Sequence, residues 1–82
     1  MQENLESQLR TLLTEVCSLP PDFSPTADFY SDLGMPSVKA MQLLLELEDR
    51  FGFPIPDEEF VEATTLERLA LLIRKIQSSA QP

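Results

Sequence analysis

The chain of 82 residues has no histidine, no tryptophan, one cysteine, two glycines and only six basic residues. Each shortage excludes something. Without histidine there is no Ser–His or Cys–His pair for nucleophilic catalysis, and zinc loses one of its usual ligands. The lone Cys17 cannot close an internal disulfide, which fits a reducing compartment. It falls among the apolar positions of a helical stretch, so it reads as a buried structural thiol. Six Lys and Arg against fourteen Asp and Glu leave a net charge of −8. Binding nucleic acid needs clustered cations, so no such partner is expected. Acidity favours attraction to proteins with basic patches, or serves solubility alone. No apolar run approaches the ~18 residues of a membrane span. The start, Met-Gln-Glu-Asn, lacks the basic region of a signal peptide. The expectation is a cytoplasmic monomer with one domain over residues 1–82, its core at about 3–76 and a flexible tail at 77–82.

What is present is helical periodicity. From about Glu3 to Ser18, Leu5, Leu9, Leu12, Leu13 and Val16 share a face, with Glu3, Glu6, Gln8, Arg10 and Glu15 mostly opposite. Pro20-Pro21 should stop that helix. A long loop follows to Pro36, pinned by Phe23, Phe29, Tyr30 and Leu33. Loops of this length in small domains usually carry function. The second helix is predicted from Ser37 to Phe51, with Ala40, Leu43, Leu44, Leu47 and Phe51 facing the core and Gly52 ending it. Glu46, Asp49, Lys39 and Gln42 should point away. Asp57 is a candidate N-cap of a short third helix, with Ile55, Phe60 and Val61 turned inward. Thr64 and Glu67 suggest a capping box before a last helix that runs to about Ile76. Leu66, Leu69, Ala70, Ile73 and Ile76 form its core face, and Arg74 and Lys75 suit its C-terminal end. No strand alternation or repeat interrupts this pattern. The fold class is all-α: a four-helix bundle of three longer helices and one short one.

Two features of the second helix bear on function. Ser37 stands at the junction of the turn Asp32-Leu33-Gly34 with the helix, beside unpaired N–H groups and partial positive charge. Its hydroxyl is placed to cap the helix or, if esterified, to hold a phosphate near an anion-friendly terminus. Val38, Met41 and Leu45, spaced i, i+3, i+7, form a second apolar line turned away from the core stripe. So small a domain has little material to cover both faces, so this line is expected to be exposed as a docking surface rimmed by acids. Met41 suits contact with several partners. The acids Glu46 and Glu48, and Asp57 to Glu59, sit on solvated faces with no evident apolar pocket to raise a pKa. No P-loop, dinucleotide glycine pattern or EF-hand loop is present. No catalytic residue and no metal ligand is therefore predicted.

Asp32-Leu33-Gly34, Ser37, the run Leu43 to Phe51 with Leu47-Glu48, Ile55-Pro56-Asp57-Glu58-Glu59 and Thr64-Thr65-Leu66 occur in the order and spacing of one family. From about Leu5 to Ile76 the chain resembles acyl carrier proteins. The resemblance implies a helical bundle of that type, itself no enzyme. It implies that Ser37 receives a 4′-phosphopantetheine arm from coenzyme A through a phosphopantetheinyl transferase. The thiol of the arm would then carry acyl groups as thioesters between the enzymes of fatty-acid, lipid or polyketide biosynthesis. Those acyl-loading and acyl-transferring enzymes would dock by basic patches on Val38, Met41, Leu45, Glu46, Glu48 and Asp49. Two departures stand out. The family's usual Asp-Ser-Leu is Pro36-Ser37-Val38 here, which removes a carboxylate. Lys39 and Gln42 stand where carriers of fatty-acid synthesis often have acids. A specialised lipid or polyketide carrier is the first reading. A fatty-acid carrier, an aminoacyl or peptidyl carrier, and an unmodified acidic adaptor docking through the same apolar line are the alternatives.

Overall fold

The computed structural model describes residues 4–80. Its elements are α1 (Leu5–Cys17), α2 (Ser37–Phe51), α3 (Asp57–Glu62) and α4 (Leu66–Ala80). The arrangement is all-α, three longer helices and one short. Helix α1 packs against both α2 and α4, and α3 against α4. Leu9, Leu12 and Leu13 of α1, Leu43 and Leu47 of α2, Leu66, Leu69 and Ile73 of α4, and Phe29 of the long loop are almost completely buried. Each such side chain contributes about 1.5–3 kcal/mol of transfer free energy. Among the described residues, no polar or charged residue joins that core.

Helix α1 begins at Asn4, whose side chain accepts a 2.8 Å hydrogen bond from the Ser7 N–H. Glu3 lies outside the described residues. The helix stops at Ser18, in the left-handed region at φ 59°. The break therefore precedes Pro20-Pro21, and the prolines only prevent resumption.

The long loop is held down rather than slack. Phe23 and Phe29 are buried edge to face, ring centroids 6.4 Å apart. Arg10, expected on the solvent face of α1, is half-buried and clamps the loop. Its guanidinium donates to the Pro21 and Phe23 carbonyls and lies 4.5 Å from the centroid of the Phe23 ring. The Phe29 N–H donates to the Thr64 carbonyl at 2.8 Å, and the Glu67 N–H donates to the Pro25 carbonyl at 3.1 Å. The loop is thus tied to the entry of α4.

Helix ends account for the other differences from expectation. Pro56, not Asp57, occupies the N-cap of α3, with no side-chain cap bond. Asp57 sits one residue inside, where its charge still suits the helix dipole. Val61 is 62% exposed instead of buried, and Phe60 alone anchors α3. The cap of α4 falls on Thr65, whose Oγ1 accepts from the Arg68 N–H at 3.1 Å. The Thr64 side chain is drawn to the Asp28 carboxylate instead, so the box with Glu67 does not form. Helix α4 continues through Ser78 to Ala80 instead of fraying after Ile76. No Gly or Pro occurs before Pro82 to stop it. Arg74 and Lys75 therefore lie before the last turn, and Lys75 pairs with Glu59 at 2.6 Å. Residues 81 and 82 of the expected tail lie outside the described residues.

Candidate functional site

The approach to α2 is built by a carboxylate network. Asp28 accepts hydrogen bonds from the Tyr30 and Ser31 N–H groups, 2.9 Å each, and the Asp28 N–H donates to Asp32 Oδ2 at 2.8 Å. These backbone donors hold the Asp28 carboxyl below its ordinary value. Gly34 follows at φ +69°, a conformation that favours glycine. The buried Met35 then fixes the chain before an extended Pro36, at φ −71° and ψ 148°. The turn Asp32-Leu33-Gly34 lies where expected. Nothing in the hydropathy pattern marked the part played by Asp28.

Ser37 is the first residue of α2, and the N-cap position belongs to Pro36. No side chain caps the helix, no acid lies in its first turn, and Lys39 does. The reading of Ser37 as an ordinary cap is therefore corrected. One residue inside the cap, its exposed hydroxyl makes no hydrogen bond among the described residues.

A largely apolar groove of about 400 Å³ lies beside that hydroxyl. Ser37, Ala40, Met41 and Leu44 of α2 line one side, and Phe60 and Val61 of α3 the other. Tyr30 and Asp57 complete the lining. Partial burial pushes the Tyr30 phenol up, so it stays neutral across the physiological range.

Val38, Met41 and Leu45 are exposed at 63%, 61% and 63%, on the side of α2 away from the core. Glu46 and Asp49 are exposed near them. Glu48 differs: it is half-buried, and its Oε2 accepts from the Ile55 N–H at 2.9 Å. It ties the end of α2 to the following link and is not a free docking charge. Cys17 is buried, its thiol pushed up by that burial, with Sγ 3.8 Å from the Lys39 carbonyl oxygen. It is no activated nucleophile. The described residues hold no cluster of three or more metal-ligating side chains, and no helix among them is long and apolar enough to cross a membrane.

A family model described as a phosphopantetheine attachment site matches residues 7–73. The chain belongs to this family. The match runs from α1 through the long loop, α2 and α3 and into the first half of α4. A phosphopantetheine attachment domain is a carrier and not an enzyme, and its cofactor is a covalent 4′-phosphopantetheine. The geometry suits such a group. A phosphodiester needs a reachable hydroxyl and tolerates a nearby helix N-terminus, and an apolar arm needs an apolar bed. Carrier function also accounts for what the chain lacks, because the reactive thiol belongs to the arm and the catalysis to other proteins.

Proposed function

We propose that Ser37 is the attachment residue, and that the protein is an acyl carrier whose arm delivers thioesters between biosynthetic enzymes. One observation carries this reading. A free, exposed hydroxyl starts a long helix that has no side-chain cap, and an apolar groove adjoins it. In the modification, Ser37 Oγ forms a bond to phosphorus while the pyrophosphate link of coenzyme A breaks. The nucleotide half leaves, and the transferase accepts the serine proton. The arm supplies a thiol for thioester exchange. Met41, Leu44, Phe60 and Val61 offer an apolar surface to the part of the cargo nearest the arm.

Partner enzymes dock on the exposed side of α2, with Val38, Met41 and Leu45 as apolar anchors and Glu46 and Asp49 as steering charges. Glu48 is left out of that set because the Ile55 amide holds it. Pro36, Lys39 and Gln42 favour a specialised lipid or polyketide pathway in the cytoplasm over housekeeping fatty-acid synthesis, and the chain acts there as a monomer.

Incubation with coenzyme A and a broad-specificity phosphopantetheinyl transferase tests the assignment by intact mass. The wild-type chain gains one phosphopantetheine and Ser37→Ala gains none. Modification of the alanine variant, or none of the wild type, overturns it.

A further inference from the structure

Beside the apolar line on α2 runs a polar one of the same spacing. Lys39, Gln42 and Glu46 stand at i, i+3 and i+7, one residue on from Val38, Met41 and Leu45. At ~100° per residue the apolar line lies on the side opposite Ala40, Leu43, Leu44 and Leu47, and the polar line lies between it and that core stripe. Along the polar line the charge changes sign: positive at Lys39 near Ser37, neutral at Gln42, negative at Glu46, with Asp49 continuing the negative end. Lys39 and Glu46 are separated by about 10 Å along the axis. That is comparable to a Debye length at physiological salt, so a partner meets them as two charges and not as an average.

The same residues form a depression. A groove of about 430 Å³ between α1 and α2 is lined by Lys39, Gln42, Leu45 and Glu46, with Glu15 and Val16 across from them. Lys39 is half-buried and makes no ion pair among the described residues, whose one ion pair is Lys75–Glu59. Its ammonium is therefore available to a visitor.

We infer that the cognate partner surface is bipolar, not uniformly basic: a carboxylate over Lys39 at the Ser37 end, an Arg or Lys over Glu46 and Asp49 two turns on, and an apolar side chain between them on Met41 and Leu45. A uniformly basic patch places a cation against Lys39 and is penalised there, so Lys39 selects among partners by repulsion as well as attraction. This inference rests on the docking face proposed above but not on modification of Ser37.

Two stapled helical peptides test it on the full-length, unmodified protein at low ionic strength. Both carry the same central Leu and Phe. One has Glu at its first contact and Arg seven residues on, in the direction that matches α2, and the other has Arg at both places. Amide shifts are followed by NMR. The bipolar peptide should bind the wild type about fivefold more tightly, with perturbed amides in 38–49. Lys39→Glu should reverse the preference, and Leu45→Ser should weaken both peptides. Equal or tighter binding of the all-Arg peptide to the wild type, or an unchanged preference in Lys39→Glu, overturns the inference while leaving the docking face intact. Perturbation centred away from α2, or none for either peptide, overturns the docking face and the inference together.

Discussion

The two 15-residue helices begin in opposite ways. Helix α4 starts closed. Thr65 Oγ1 takes the Arg68 N–H, the Pro25 carbonyl takes the Glu67 N–H, and Glu67 puts a negative charge in the first turn. Helix α2 starts open, behind a proline with no cap bond, with a cation and no acid in its first turn. A helix start left without partners costs stability unless something external uses it. The chain satisfies α4 internally and leaves the start of α2 open. The unmet local needs coincide with the attachment end proposed at Ser37. The apolar exposures agree: Leu71 on α4 stands singly, whereas Val38, Met41 and Leu45 form a line.

The sharpest way to break this comparison is to cross the two hydroxyls. Ser37→Ala should lose all modification yet change stability by less than about 0.5 kcal/mol, because Ser37 caps nothing. Thr65→Ala should keep full modification and lose about 1 kcal/mol, because Thr65 does cap. Denaturant melts and intact mass on both variants read the four outcomes. A Ser37→Ala loss as large as that of Thr65→Ala would mean that α2 is closed by its serine after all.

Closing the open start is the next test. Pro36→Asp adds a cap and a carboxylate, worth about 1 kcal/mol in the folded state. It also releases the proline constraint on the unfolded chain, which costs about 0.4–1 kcal/mol. Stability should therefore hardly move. The rate of modification by a fatty-acid-type transferase should rise, since the substitution restores the carboxylate that such carriers usually have before their serine. An unchanged or slower rate in a single-turnover mass assay would show that Pro36 is neutral or suited to another transferase.

The difference between the two starts was only partly legible in the sequence. Periodicity alone located α2, its core stripe and its exposed line, because Ala40, Leu43, Leu44 and Leu47 repeat at helical spacing and Gly52 ends the run. Caps were not so readable. A Thr-Thr pair offers two equivalent caps, and the choice of Thr65 depends on the Thr64 side chain being drawn to Asp28, far earlier in the chain. Asp57 lost its cap role because Pro56 already sits in the cap position. Glu48 and Arg10 looked like surface charges because their partners, the Ile55 N–H and the Pro21 and Phe23 carbonyls, are backbone groups that leave no mark in a hydropathy pattern. Ser37 and the groove beside it were legible only in part, since the groove needs Phe60 and Val61 brought over from α3.

The smallest effect concerns the brace that holds the closed start, and pH isolates it. Asp28 is hydrogen-bonded by the Tyr30 and Ser31 N–H groups and by the Thr64 side chain, so its carboxyl titrates below the ordinary 3.8. A depressed folded-state pKa means the ionised form is favoured by folding. The resulting stabilisation is fully present above the unfolded value and fades as pH falls through the folded one. Asp28→Asn keeps one acceptor oxygen but removes the titration. The variant should be slightly less stable than wild type at neutral pH, and the gap should narrow as the medium is acidified through and below pH 3.8. Melting curves of both proteins across that range measure the gap. A constant gap would mean that Asp28 acts by shape alone and that its charge contributes nothing to bracing the loop against α4.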